Sequence, residues 1–90
     1  MFEIRSHVTG TEVPILVRFS DQVLEWFVGG ESGGRFHVDG IVDFELDVDQ
    51  HANVDLHVHL ASGHTESLGL PAEARPDLQL LVASIERARV

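Results

Sequence analysis

The chain has 90 residues, 43% of them apolar, which is the composition of one globular domain over residues 1–90 and not of a disordered segment. Fifteen acidic residues against six basic ones, all arginines, give a net charge of −9, which argues against partners such as nucleic acids, anionic membranes or phosphoinositides. The lack of cysteine excludes disulfides and thiolate chemistry, and because the N-terminal residues show no signal-peptide pattern we expect a cytoplasmic protein.

The first part of the chain alternates apolar and polar residues with a period of two, which is typical of β-strands. Residues on either side of Asp21-Gln22 can pair as a hairpin in which both faces are coherent. The cross-strand pairs are Phe19 with Leu24, Val17 with Trp26 and Ile15 with Val28 on one face, and Arg18 with Glu25 and Leu16 with Phe27 on the other. A shift by one residue would break both sets, so the sequence specifies this register, although Asp-Gln is not a favoured turn dipeptide.

The glycine-rich stretch GGESGG, residues 29–34, predicts a hairpin connection. It is not read as a phosphate-binding loop, because no Gly-Lys-Ser/Thr follows and no helical pattern begins there. The next residues, RFHV, predict a short strand, and Asp39-Gly40 predicts a turn into the middle of the chain.

The middle of the chain predicts two long strands and a third shorter one, with even-numbered side chains inward and odd-numbered ones outward. The inward set is Val42, Phe44, Leu46 and Val48, followed by Val54, Leu56, Val58 and Leu60. On the outward face Glu45 is expected opposite His57, Asp43 opposite His59, and Asp47 opposite Asp55. A turn at residues 62–64 would then place Val58 beside Leu68 and Ser67 beside His59.

Residues 76–89 predict one amphipathic α-helix, because their apolar side chains recur at helical spacing. Pro76 suits the first turn, and Asp77 suits the positive end of the helix dipole. The whole pattern predicts a mainly β protein of about seven antiparallel strands, arranged as a small barrel or sandwich with this helix at its C-terminus.

The order of these elements resembles the small bacterial pleckstrin-homology-like (PH-like) domains. The resemblance covers nearly the whole chain and is clearest from RFHVDGIVDFELD through VDLHVHLASGHTESLGL to the final helix. It implies a PH-like barrel that acts as an interaction module, because PH-like domains are mostly binding domains. It does not imply phosphoinositide binding, since the first turn, TGTE, is acidic and contains no lysine.

His57 and His59 form a His-x-His pair whose side chains are expected on one face of a strand, about 7 Å apart along the backbone. With Glu45 or Asp43 as a third ligand, they could hold Zn²⁺ or Fe²⁺ in a metal-binding protein or a metal-assisted hydrolase. The other interpretation is that they are solvated partners of a surface acidic strip, because a catalytic metal usually lies in a concave pocket. The sequence favours the second interpretation and therefore a protein without a cofactor.

Leu16 and Phe27 form an apolar pair on the face that also carries Arg18 and Glu25. If exposed, they mark a surface for a protein partner or for self-association. If the barrel or the helix covers them, they belong to the core. We expect a non-enzymatic interaction module, with the metal-dependent function as the alternative.

Overall fold

The computed structural model describes residues 1–89, which form seven strands followed by one α-helix. The strands are β1 (Phe2–His7), β2 (Pro14–Ser20), β3 (Val23–Val28), β4 (Glu31–His37), β5 (Ile41–Val48), β6 (Val54–Leu60) and β7 (Thr65–Leu70), and the helix is α1 (Arg75–Ala88). Single turns of 3-10 helix, Val38–Gly40 and Ala72–Ala74, precede β5 and α1.

The strands form two antiparallel sheets, one of four strands in the order β1-β2-β3-β4 and one of three in the order β5-β6-β7. The predicted fold class is confirmed: the chain is mainly β with a C-terminal helix. Of the two predicted arrangements, the sandwich is the one found, because the sheets are hydrogen-bonded separately and do not close into a barrel.

One core joins both sheets and the helix. Leu24 from the first sheet, Leu56 from the second and Leu81 from the helix are each fully buried. Each such side chain contributes about 1.5–3 kcal/mol through removal of its apolar surface from water. The inner faces of the sheets are therefore buried in the core, and their outer faces and edge strands are left for contacts with other molecules.

The β2–β3 hairpin has the predicted register at every position, from Phe19 opposite Leu24 to Ile15 opposite Val28. Its two-residue turn consists of Asp21 and Gln22, both with left-handed backbone conformations (φ 53° and 65°). Positive φ at both central residues is the geometry of a type I′ turn, whose twist matches that of the flanking strands. The turn therefore forms in spite of an unfavoured dipeptide.

The predicted connection GGESGG is shorter than expected. Only Gly29 and Gly30 form the turn, both at positive φ, and β4 already begins at Glu31. The pairing shifts between Trp26 and its neighbour Phe27, so that β4 contains a bulge. A Cβ on Gly34 would lie 2.9 Å from the Phe36 ring and 3.0 Å from the Trp26 ring, so a side chain at this position would require these rings to shift.

The inward set predicted for β5 is wrong at both ends. Val42 is 54% exposed and Val48 is 43% exposed. A bulge makes Val42 an extra residue in its strand, and Ile41 takes the buried position opposite Leu60 instead. The carbonyl of Val42 accepts a hydrogen bond of 2.7 Å from Arg89, so the end of the helix is attached to the bulge.

The predicted pairing of β6 with β7 is also wrong, by two residues. Leu68 lies opposite Leu56, not opposite Val58. The chain reverses earlier than expected, because the N–H of Gly63, at φ 93°, donates to the carbonyl of Leu60. This is a three-residue loop with a glycine in the left-handed region, a common hairpin geometry. A shift of two residues keeps every side chain on its predicted face.

The helix starts one residue before the predicted range and buries Leu78, Leu81 and Ile85, while Leu80 on its outer side is 58% exposed. Such differences in helix ends are within the usual variation of boundaries. Within residues 1–89, no helix combines the length and the apolar character needed to cross a membrane.

Replacement of Gln22 by glycine should stabilise the protein. Glycine adopts positive φ without the steric cost of a side chain, and that gain outweighs the greater freedom of glycine in the unfolded chain. We expect the free energy of unfolding to rise by about 0.5–1 kcal/mol, measured by urea denaturation.

The matched control is Ala61→Gly, which makes a similar change in a turn where the residue does not have positive φ. That variant should lose a few tenths of a kcal/mol. Equal effects of both substitutions would show that the β2–β3 turn carries no strain.

Candidate functional site

The outer face of the four-stranded sheet brings Leu16 and Phe27 together at its centre. Leu16 on β2 lies between Arg5 on β1 and Phe27 on β3, in one row across the sheet. Arg18 lies in the next row, two residues along β2. We call these four residues, Arg5, Leu16, Arg18 and Phe27, the arginine patch.

Neither of the two alternatives predicted for Leu16 and Phe27 describes them fully, because both side chains are half-buried. The apolar side chains of α1 enter the core on the opposite side of this sheet and do not cover them. Together with Pro14 and the two arginines of the patch, they line an open depression of about 400 Å³. The depression includes no acidic side chain among the described residues.

Arg18 is held in place by Glu25 on the neighbouring strand. Its Nε and Nη2 donate to Glu25 Oε1 at 3.2 and 2.6 Å. The hydrogen bonds to Glu25, followed by the attraction between the two charges, raise the pKa of Arg18 above its usual value. Its guanidinium carbon lies 5.5 Å from the centre of the Phe27 ring, within the range of a cation–π contact.

Arg5 is much less restrained. Its side chain is 79% exposed and makes one ion-pair contact, of 3.4 Å, with Glu3 two residues away on the same strand. An exposed pair at this distance adds little to stability. The Arg5 guanidinium can therefore reorient toward a ligand in the depression at small cost.

The outer faces of the two sheets differ in charge. The paired outward positions of the first sheet carry three arginines and two glutamates, namely Arg5, Arg18, Arg35, Glu3 and Glu25. Those of the second sheet carry four carboxylates and, among the described residues, no arginine: Asp43, Glu45, Asp47 and Asp55. Within an acidic protein, the arginine patch therefore lies on a face with a small positive charge.

The backbone pairs predicted around the His-x-His strand are confirmed, with Glu45 opposite His57 and Asp43 opposite His59. The side chains, however, contact diagonal partners. His57 Nε2 lies 3.0 Å from Asp47 Oδ2, and His59 Nε2 lies 3.3 Å from Glu45 Oε1. The carboxylate that each imidazole contacts thus lies two residues further along β5 than predicted.

The other ring nitrogens contact hydroxyls on β7. His57 Nδ1 is 2.6 Å from Ser67 Oγ, and His59 Nδ1 is 2.9 Å from Thr65 Oγ1. Ser67 was expected beside His59, and it lies beside His57 because of the two-residue change in the β6–β7 register.

These contacts form two separate chains, each running from a hydroxyl through an imidazole to a carboxylate. Asp43, the other proposed ligand, accepts instead from the backbone N–H of Phe44 at 2.8 Å. Across residues 1–89, no three histidine or acidic side chains come close enough together to hold a metal ion. The described geometry therefore lends no support to the metal-binding alternative.

The turn between β5 and β6 is organised by Asp49. Its Oδ1 accepts hydrogen bonds from the backbone N–H groups of His51 at 2.8 Å and Asn53 at 3.0 Å. Desolvation acts to raise the pKa of the Asp49 carboxyl, but the hydrogen bonds from His51 and Asn53 and the charge of His51 outweigh it and lower the pKa. The ionised carboxylate thus holds the loop that aligns the two strands of the histidine face.

Comparisons with known protein families, with characterised proteins and with solved structures found no match.

Sequence reasoning identified Leu16 and Phe27 but missed Arg5 as their neighbour. The signal was present: the pairing of β1 with β2 places Glu3 opposite Arg18 and Arg5 opposite Leu16, which matches charges and completes the row. The register of that hairpin depends on a loop of six residues, whose length does not select one turn type.

Zinc at about 1 mM should shift the melting temperature of the protein and of a His57→Asn/His59→Asn variant equally, because the two imidazoles are engaged in separate contacts. The measurement is thermal unfolding of untagged protein with and without zinc. A saturable stabilisation at one equivalent, seen in the wild type alone, would show that the pair does bind metal.

Replacement of Asp49 by alanine should lower the melting temperature at pH 7, because it removes the acceptor of two backbone N–H groups. A carboxyl whose pKa is lowered by folding stabilises the protein above its unfolded pKa of about 3.9, and this contribution disappears as the pH falls through the folded value. The difference between wild type and variant should therefore shrink at acidic pH.

Asp55→Ala is the matched control, since Asp55 lies opposite Asp47 in the same hairpin. Its replacement removes a contact between like charges. It should not destabilise the protein. A pH-independent effect of Asp49→Ala would show that the carboxylate charge is not what holds the turn.

Proposed function

We propose that this protein is a small non-enzymatic interaction module that binds a protein partner, or a second copy of itself, through the arginine patch. The observation that carries the proposal is the placement of Leu16 and Phe27 in an open depression that Arg5 and Arg18 also line. Apolar side chains that are half-buried yet reachable at the centre of a sheet are a surface that gains free energy when a partner covers it.

The composition of the patch supports this role. Aromatic residues and arginine are enriched among the residues that dominate binding energy at protein interfaces. Phe27 and Arg18 are also prearranged, since Arg18 is fixed by Glu25 and lies near the Phe27 ring. A surface that is ordered before binding loses less entropy when the partner arrives.

The position in the fold supports it as well. Leu16 and Phe27 lie on β2 and β3, the two inner strands of the four-stranded sheet. Their inner neighbours Val17 and Trp26 are buried in the core, which restrains the backbone beneath the patch. Binding residues held by a rigid scaffold are a common arrangement.

The resemblance to PH-like domains and the cytoplasmic location belong to the same proposal. The resemblance is supported by the order of elements, four strands and then three in separate sheets followed by a helix. The net charge of −9 supports a protein partner over nucleic acid or an anionic membrane surface.

Leu16→Asp and Phe27→Asp should each weaken partner binding by more than about tenfold, equivalent to about 1.4 kcal/mol. A carboxylate at either position removes apolar contact area and adds a charge that the partner must desolvate. The test is affinity capture from the native cell with wild type and variants, together with sedimentation to detect self-association.

Leu80→Asp serves as the control, because Leu80 is the most exposed apolar side chain of the helix and lies away from the patch. It should retain the captured partner and the assembly state of the wild type. If the Leu16 and Phe27 variants fold normally and keep both, the patch is not the binding surface.

A further inference from the structure

We infer that the arginine patch recognises an extended peptide segment of a partner in which an apolar residue and an acidic residue are separated by one position. This inference rests on the proposed function and adds the chemistry of the segment. The patch juxtaposes the apolar side chains of Leu16 and Phe27 with two guanidinium groups, and the spacing of Leu16 and Arg18 on β2 sets the spacing of the ligand side chains.

The apolar floor of the depression, Leu16 and Phe27, favours an apolar ligand group. Leu16 and Phe27 lie side by side on adjacent strands, and the depression above them measures about 400 Å³. That volume is within the range of pockets that bind small ligands, and it accommodates one large apolar or aromatic side chain.

The two arginines that line the depression, Arg5 and Arg18, favour a carboxylate in the ligand. Both ionisable side chains that line the depression are arginines, Arg5 and Arg18. A guanidinium has five N–H donors in a fork that fits a carboxylate, and Glu25 engages two of those of Arg18. Arg5 makes one long contact with Glu3, so most of its donors face solvent.

The register sets the distance between the two ligand groups. Leu16 and Arg18 lie on the same face of β2 with one residue between them, and two strand residues span about 7 Å. An extended peptide has the same repeat, so residues two apart project to one side at that spacing. A segment running along β2 can therefore place its apolar side chain over Leu16 and its carboxylate beside Arg18.

The small net charge of the outer face of the first sheet indicates that acidic ligands are selected by direct contact and not by long-range attraction. Glu3 and Glu25 offset two of the three arginines, so the face carries one net positive charge in a protein of net charge −9. Long-range attraction of an acidic partner is therefore small. Discrimination comes from contact with Arg5 and Arg18 once the apolar side chain is seated.

The test is NMR titration of the isotope-labelled protein with four peptides. The probe is Ac-Thr-Phe-Thr-Asp-Thr-NH2. One control keeps its composition but places the aspartate next to the phenylalanine, Ac-Thr-Phe-Asp-Thr-Thr-NH2. The other two replace the aspartate of the probe by asparagine or by lysine.

The probe should shift the backbone amides of the arginine patch with a dissociation constant on the order of 1 mM. The asparagine peptide and the rearranged peptide should bind at least about threefold more weakly, and the lysine peptide about tenfold more weakly. Arg5→Gln, a change at an exposed side chain, should reduce the preference for the aspartate peptide over the asparagine peptide.

Equal binding of all four peptides would overturn the charge selection and leave the patch as an apolar docking surface, so the proposed function would survive. Equal binding of the probe and the rearranged peptide would overturn the spacing. No shift with any peptide would overturn the inference, while the capture test with Leu16→Asp decides the proposed function separately. Shifts of the same amides on dilution alone would identify a second copy as the occupant and overturn the peptide assignment.

Discussion

The pairing of β2 with β3 is the constraint on which both the core and the candidate site depend. It places Val17 against Trp26 on the inner face and Leu16 against Phe27 on the outer face. A slip of β3 by one residue would turn its side chains to the opposite face, which would expose Trp26 and bury Glu25 away from Arg18. The stability of the core and the shape of the proposed binding surface therefore follow from one register.

The second sheet uses the same alternation for a different surface. Its inner side chains complete the core, and its outer side carries acidic residues linked to two histidines and two hydroxyls. Each imidazole contacts the hydroxyl directly opposite on β7 and a carboxylate diagonally across on β5. These chains satisfy polar groups at the surface, which is the role that cross-strand polar pairs commonly have.

The two outer faces thus divide the chemistry of the molecule. One combines apolar and cationic groups over a depression, and the other is acidic and built from exposed or half-buried polar groups. The inner faces of the sheets and the apolar side of α1 are buried in the core. The proposed partner would therefore gain free energy by burying apolar surface at the arginine patch. This division is the physical basis of the proposed interaction module.

The fold class, the helix and the β2–β3 hairpin could be read from the sequence, because alternation with a period of two and apolar spacing near 3.6 assign faces directly. The backbone neighbours of His57 and His59 on β5 followed from the same alternation. Their hydroxyl partners on β7 did not follow, since a β6–β7 loop that ends one residue earlier moves Ser67 and Thr65 by two positions without changing any face.

Only the tertiary structure decided the exposure of Val42. Whether Ile41 or Val42 takes the buried position opposite Leu60 depends on the bulge in β5, which is defined by pairing with β6 and packing on the core. It also decided that Leu16 and Phe27 lie in an open depression, since that depends on where the helix packs. Local pattern determines which side of a strand a residue occupies. What covers that side is determined by contacts between residues far apart in the chain, and a single sequence does not encode those contacts as a local signal.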